Sequence, residues 1–437
     1  MTTTSPFAPP AAIREISHRL EAAGFEAWCV GGSVRDALLG IESLDWDIAT
    51  SAHPEQVQRI FRRTVPVGIA FGTVGVLDRE GVLHEVTTFR HDVETDGRHA
   101  VVKFGATLEE DLARRDFTIN AIAVHAERLE VRDPFGGRED LERRLVRAVG
   151  DAPERMREDR LRALRALRFA GRFGFEIEPA TWAAVRESAP HLGRLSMERV
   201  KQELDKVMEQ VRAPAATIER YREAGIFAAL IPSLADAPRA RFAALDHLAQ
   251  PGLARRPDRR VLRLAALFVE PGKKPLDRQR LERELKHLKF SNLESRATVA
   301  FAEAIAEVSL ADLPTPTDDV RLRRLVARIG RLAVPGVARL LWARAAAGQR
   351  EAGAAAASEA ARASWVAGIA LYRRALRSAW RDPLTLGDLA LDGDDLRAVG
   401  VAPGRAMGDA LKRLLDAVIE DPRRNTREGL LSLLRTD

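Results

Sequence analysis

An α+β head followed by an all-α remainder is the fold class this sequence predicts. Three observations predict it. Short apolar strand signals alternate with amphipathic helices from the N-terminus to about Leu141; the strand signal then nearly disappears; and from Pro153 onward helix-period segments follow one another to the end. At 437 residues the chain exceeds one compact core, and its 46% hydrophobic content is enough to fill several.

Taken in order, the spacing predicts a helix over residues 13–23 and a strand over 26–30, ended by Gly31-Gly32. Ser33 then N-caps a helix through Leu39. A strand over 44–49 follows, and Pro54 opens a helix to about residue 62. Strands at 73–77 and 83–89 are joined by a turn at Gly81. Residues 92–100 are polar with one glycine and read as a mobile loop. A helix over 108–114 and strand signals at 119–124 and 129–131 complete the mixed region. Helices are then predicted over 153–172, 179–188, 196–209 and 214–224, with further helices interrupted by proline-bearing loops at 251–257, 271–275 and 314–317. Residues 343–363 are alanine-rich and read as a helix or helical linker, and a final unit runs over 383–434. The expected domains are 1–145, 146–215, 216–365 and 366–437.

Composition excludes several classes. No apolar run approaches the roughly 18–20 residues needed to span a bilayer. The first ten residues lack a basic stretch followed by an apolar block, so no secretion signal is expected. A single cysteine, Cys29, allows neither an internal disulfide nor a cysteine-rich zinc site. A soluble, cytoplasmic protein is the expectation. The net charge of +6 is a weak pointer to a polyanionic partner. Its distribution says more: between Leu141 and Arg172 ten arginines stand against five acids on a helical segment.

The chemistry begins at Asp45-Trp46-Asp47. On a strand, residues i and i+2 share a face, so the two carboxylates converge while Trp46 points away. Paired acids repel unless a cation lies between them, the arrangement of hard, oxygen-liganded Mg²⁺ sites in phosphoryl transfer. A lone D-x-D is common on solvated turns. What distinguishes this one is the preceding Gly31-Gly32-Ser33-Val34-Arg35-Asp36, where a strand runs through a glycine turn into a helix, so that backbone N–H groups and Arg35 can receive a triphosphate.

GGSVRD, DWDIATSAHPE, RRDFTINA (114–121) and DPFGGREDL (133–141) together resemble the successive head motifs of class II tRNA nucleotidyltransferases and bacterial poly(A) polymerases, members of the polymerase-β-like nucleotidyltransferase superfamily. The resemblance implies a polymerase-β-like catalytic head in residues 1–145, with Asp45 and Asp47 binding the metals and Gly32 and Arg35 contacting nucleotide phosphates. It makes Arg115 a further nucleotide contact, supported by Asp116 and Asn120. Glu85, in HEVTTFR, is a candidate third carboxylate, set against an edge-strand surface glutamate.

Glu158-Asp159-Arg160-Leu161-Arg162, followed by Arg165 and Arg168, is compatible with a solvated i,i+4 ion pair worth a few tenths of a kcal/mol. Base chemistry offers a sharper reading. Cytosine and adenine each present an amino donor beside a ring-nitrogen acceptor. A carboxylate and an arginine suit both bases and repel uracil and guanine. The resemblance makes this E-D-x-x-R segment the protein template for CTP and ATP, in a neck over 146–215. There Arg162 faces the base, while Arg165 and Arg168 lie nearer phosphate or the head–neck joint. Residues 96–100, DGRHA, fall where the family has a flexible loop usually reading DGRRP that helps switch addition from C to A. Phe71 stands where many such enzymes have histidine. ALFVEPGK (266–273) resembles the metal-binding segment of HD phosphohydrolases with Val269 and Glu270 in place of the ligands, so a degenerate HD-like body without hydrolase activity is expected over 216–365. GDDLRAVGVAPGRAMGDALKRLLDAV (393–418) resembles the tail of CCA-adding enzymes, implying tRNA binding over 366–437. The implied activity is addition of C, C and A to tRNA 3′ ends from CTP and ATP with Mg²⁺. The rivals are A-only or CC-only addition, poly(A) synthesis, and a catalytically dead RNA-binding module.

Overall fold

In the computed structural model, α1 (Ala11–Ala22) leads into β1 (Ala27–Val30), α2 (Gly32–Leu38), β2 (Asp47–Thr50) and α3 (Pro54–Ile60). Strands β3 (Thr64–Gly68), β4 (Thr73–Leu77), β5 (Leu83–Thr88), β6 (Arg90–Thr95) and β7 (Ala100–Phe104) follow, then α4 (Leu108–Ala113), β8 (Ala123–Val124), β9 (Val131–Arg132), α5 (Gly137–Glu142) and β10 (Leu145–Val146). The structure describes residues 9–43, 45–95, 100–248, 258–268, 277–307, 319–351 and 360–434.

Seven strands form the main sheet in the order β3-β4-β5-β2-β1-β8-β9, with β2 and β5 parallel and the other neighbours antiparallel. β1 is buried along its whole length because both faces are covered. On the front face Trp28, Val30 and Ala49 pack against Leu108 and Leu112 of α4. On the back, α1 and α3 supply Ile13, Ile16, Leu20 and Val57, all buried. β6 and β7 form a separate hairpin, so residues 92–95 are paired strand rather than loop; Asp96–His99 lie outside the described residues. The strand expected over 119–124 shrinks to Ala123–Val124, because Thr118–Asn120 turn as a 3₁₀ segment.

The helix expected over 153–172 is two helices, α6 (Ala152–Glu158) and α7 (Leu161–Phe173). Asp159 is extended, with φ −146° and ψ 102°, and its Oδ1 accepts from Leu161 N at 3.1 Å, starting α7 afresh. After β11 (Glu176–Ile177) and α8 (Pro179–Ser188), α9 (Met197–Gln210) packs along α7. Between them Arg168 Nε donates to Glu203 Oε2 at 2.6 Å, both side chains buried.

The chain divides into two compact units: Met1–Arg212 with Ala216–Asp236, and Ala213–Ala215 with Ala237–Asp437. The first also holds most of α10 (Ala215–Glu223) and all of α11 (Ile226–Leu230). Among its described residues the second is built of helices joined by turns: α12 (Ala240–His247), α13 (Asp258–Phe268), α14 (Arg278–His287), α15 (Asn292–Glu307), α16 (Asp319–Ile329), α17 (Val334–Glu351), α18 (Ala360–Arg381), α19 (Gly393–Ala398), α20 (Arg405–Glu420) and α21 (Arg427–Leu434). Leu322, Val326, Ala379 and Ile419 form one of its cores, and Leu396, Leu414, Val418 and Leu430 another. The alanine-rich stretch belongs to α17 and α18, with residues 352–359 outside the described set, as are Val269 to Lys273 of the HD-like segment. Among the described residues no helix is long and apolar enough to cross a membrane.

The Arg168–Glu203 pair yields a test of the first unit's packing. Glu203→Ala leaves a buried guanidinium without its counter-charge and should cost about 3 kcal/mol, read as a lower denaturation midpoint in urea. An unchanged midpoint would contradict the assignment.

Candidate active site

β1 ends at a turn only glycine makes cheaply. Gly31 has φ 78°, and α2 begins at once at Gly32. The helix thus starts earlier than a Ser33 cap would place it; Ser33 Oγ instead donates to Val30 O at 3.4 Å. A Cβ at position 31 would lie 3.1 Å from Arg115 Nη1 and 3.6 Å from Asp47 Oδ2. The bare turn, Arg115 and Asp47 therefore converge on one spot.

Asp47 is the first residue of β2, opposite Val30. Asp45 precedes the strand and is exposed, while Trp46 is buried, its Nε1 donating to Ser43 O at 3.0 Å. On the other side of Asp47 stands Glu85: Ile48 pairs with Val86, so the residues one position earlier share a face. β5 lies between β4 and β2, which rules out an edge-strand glutamate. Burial, then the charges of Asp45 and Glu85, push the Asp47 carboxyl up to about 6, against the pull of Arg115. Among the described residues no three His, Cys, Asp or Glu side chains enclose a cation by themselves. The carboxylates form an open acidic rim, a donor set that fits a hard divalent ion sharing its coordination with substrate phosphates.

Arg115 is braced by Asp111 Oδ2, 3.1 Å from Nη2, and by Asn120 O, 3.4 Å from Nη1, while its buried Nε has no acceptor. Gly32 adjoins Arg35, whose Nη2 lies 3.5 Å from where a Cβ at 32 would sit. Arg35 itself departs from expectation. Its side chain is only 4% exposed, and it is bound to Asp36 at 2.6 Å and to Asn120 Oδ1 at 2.5 Å. It also lies over the rings of Phe169 and Phe173. Its fork is directed into the protein, so it braces the turn rather than facing a phosphate. Burial lowers its pKa despite Asp36.

From Arg35 a charge chain runs through the interior. Asp36 also accepts from Arg172 at 2.9 Å. Asn120 Nδ2 donates to Asp116 Oδ1 at 2.8 Å, and Asp116 Oδ2 accepts from Arg165 Nε at 2.7 Å. Burial alone would raise Asp116; Arg165 and Asn120 overcome it and hold the carboxyl down at about 2. Arg165 thus links α7 to the RRDFTINA segment. Arg168, expected nearer phosphate or the head–neck joint, is buried against Glu203 and braces α7 against α9.

The E-D-x-x-R residues do come together. Glu158 Oε2 accepts from Arg155 Nη1 at 2.9 Å and Arg162 Nη1 at 2.5 Å, and Arg162 Nη2 donates to Arg114 O at 3.2 Å, tying the segment to the arginine pair of the head. Asp159, at the helix break, holds Arg199 Nη2 of α9 at 2.6 Å. Arg199, Glu203, Asp111 and Arg172 went unread in the sequence. For Glu203 a signal existed, a carboxylate on the apolar face of α9 between Val200, Leu204 and Val207.

This head is that of a nucleotidyltransferase. Residues 27–147 match the family described as Poly A polymerase head domain, and 174–237 the probable RNA and SrmB-binding site of polymerase A. A CCA-adding enzyme of Limosilactobacillus fermentum is 36% identical over 430 residues, 96% of this chain and 94% of that one. One from Streptococcus mutans is 51% identical over 201 residues, a match that spans about half of its length (49%) and 46% of this chain. The Bacillus stearothermophilus CCA-adding enzyme, solved in complex with CTP, superposes with TM-score 0.74 at 32% identity over 99% of both chains. The chain belongs to the CCA-adding enzymes.

The raised Asp47 pKa makes a stability prediction. Below pH 3.8 the carboxyl is protonated in both folded and unfolded chains; above about 6 it is ionised in both, and the folded state bears the cost. Without divalent cations, Asp47→Asn should therefore be more stable than wild type at pH 8, by up to about 3 kcal/mol. The gap should close as pH falls from 6 towards 4. Thermal denaturation across that range measures it; a gap independent of pH would contradict the site's electrostatics.

Proposed function

We infer that this protein adds C, C and A in turn to the 3′ end of tRNA, taking CTP and ATP and releasing pyrophosphate. The observation that carries the reading is the convergence of the Gly31 turn, Arg115 and Asp47, with the E-D-x-x-R break tied to the same arginine pair through Arg114 O. In each cycle the terminal hydroxyl oxygen bonds to the α-phosphorus, the bond from that phosphorus to the bridging oxygen of the β-phosphate breaks, and the hydroxyl proton leaves to solvent. The backbone of the turn and the Arg115 guanidinium beside it, whose Nη1 lies nearest Gly31, bind the triphosphate. Enzymes of this family use divalent metals; here Asp45 and Asp47, with Glu85 beside them, would hold Mg²⁺, which supplies charge neutralisation and a more acidic hydroxyl.

Selection falls to Asp159 and Arg162. Asp159 keeps lone pairs beyond those given to Arg199 and Leu161 N, and Arg162 keeps donors beyond those given to Glu158, Arg155 O and Arg114 O. A base offering an amino donor beside a ring-nitrogen acceptor satisfies both. Gly32, Glu158 and Arg165 position this pair and the turn, and Arg35 braces them from within. We assign the head to 1–145, the neck to 146–215, the body to 216–365 and a tRNA-binding tail to 366–437. We place the protein in the cytoplasm, where tRNA and nucleotides are.

The test supplies tRNAs lacking CCA, CA or only A with one nucleotide at a time. Ordered uptake of C, C and A supports the reading; A alone, C alone or long A tracts would replace it with another specificity of the family. Asp45→Ala should lower turnover at least about a hundredfold, and a chelator should do the same to wild type. Asp159→Ala should lose about a hundredfold of its discrimination against UTP while tRNA affinity holds. A variant that still excluded UTP would defeat the template.

A further inference from the structure

The front face of the head sheet continues past the carboxylates. Gly75 in β4 pairs with Glu85 on one side and Val65 on the other. Alternation along β5 puts Leu83 on the same face as Glu85. A Cβ at position 75 would lie 2.6 Å from Leu83 Cδ1 and 2.8 Å from Val67 Cγ2, so these two side chains close over the glycine. All three apolar residues nevertheless face solvent: Val65 is 38% exposed, Val67 44% and Leu83 39%. Adjoining one another beside an acidic rim, they make a shelf rather than the scattered apolar residues of any surface.

Charge decides what can use it. On the β1 side of Asp47 stand the Gly31 turn and Arg115, which attract an anion; on the β5 side stands Glu85, which repels one. With the triphosphate on the cationic side, the uncharged hydroxyl must approach over Glu85. The shelf lies along that approach, beginning one strand spacing, about 5 Å, from Glu85 and so within the span of one nucleotide. We propose that Val65, Val67 and Leu83, closed over Gly75, form the subsite for the 3′-terminal nucleotide of the RNA being extended, an assignment that rests on the nucleotidyl-transfer reading above. The shelf offers apolar contact and no hydrogen-bond readout. It therefore accepts whatever base ends the incoming tRNA and then the cytosines added to it, as a sequence-tolerant surface must.

The experiment compares wild type with the Val67→Ser/Leu83→Ser double variant on two substrates: tRNA lacking CCA, and the same RNA with an abasic 3′-terminal nucleotide. In wild type the abasic end should raise KM for RNA about tenfold. The double variant should show that rise already on the normal RNA and no further abasic penalty, with KM for CTP unchanged. Both mutated residues are surface-exposed, and a Val82→Ser control in the β4–β5 turn should behave as wild type. An unchanged KM for RNA in the double variant, or an equal abasic penalty in both proteins, overturns the subsite. A wild-type protein that failed to extend the normal tRNA would overturn the nucleotidyl-transfer reading itself, and the subsite with it.

Discussion

The head is organised around a repulsion that its own side chains leave unrelieved. The β1–β2 and β2–β5 registers place Asp47 between the glycine turn and Glu85, with Asp45 just ahead of the strand. Burial first, and then the charges of Asp45 and Glu85, push the Asp47 carboxyl up to about 6, well above the usual carboxylate range. Strand pairing is rigid enough to keep these acids together. Arg115 approaches but is braced elsewhere, by Asp111 and Asn120 O. The remaining field is available to a divalent ion and a polyphosphate, and the site's chemistry depends on its staying so.

The interior treats charge in the opposite way. Asp116 is buried, yet it is held down at about 2 because Arg165 and Asn120 meet it directly. Arg35, Asp36 and Arg172 extend that pairing, and Arg168 with Glu203 forms a parallel brace between α7 and α9. Two environments for carboxylates thus lie side by side: one exposed to ligand and pushed up, one internal and pulled down. On the proposed reading, that divergence separates the residues that act from those that hold them in place.

Much of this was legible in the sequence, for reasons of local chemistry. The glycine turn, the Asp45–Asp47 pair and the RRDFTINA segment announce themselves because each is short and carries a backbone or charge requirement of its own. Glu85 could be named but not placed, since only the sheet order shows β5 to be internal. β3 went unread because Pro66 and Gly68 interrupt an already short and exposed run, as an edge strand permits. The break at Asp159 is hidden because Glu158 and Arg162 bond across it as they would along a continuous helix. Arg35 and Arg168 were assigned to ligand because their decisive partners, Asn120 and Glu203, are distant in sequence. Arginine spacing cannot distinguish a guanidinium facing a phosphate from one buried against a carboxylate.

The central claim is best tested by locating the cation. Crystals grown with Mn²⁺ and a non-hydrolysable CTP analogue should give an anomalous peak in bonding contact with Asp45 and Asp47 and with a phosphate oxygen of the nucleotide. A peak coordinated elsewhere, with the two carboxylates turned away from the Gly31 turn, would contradict the account.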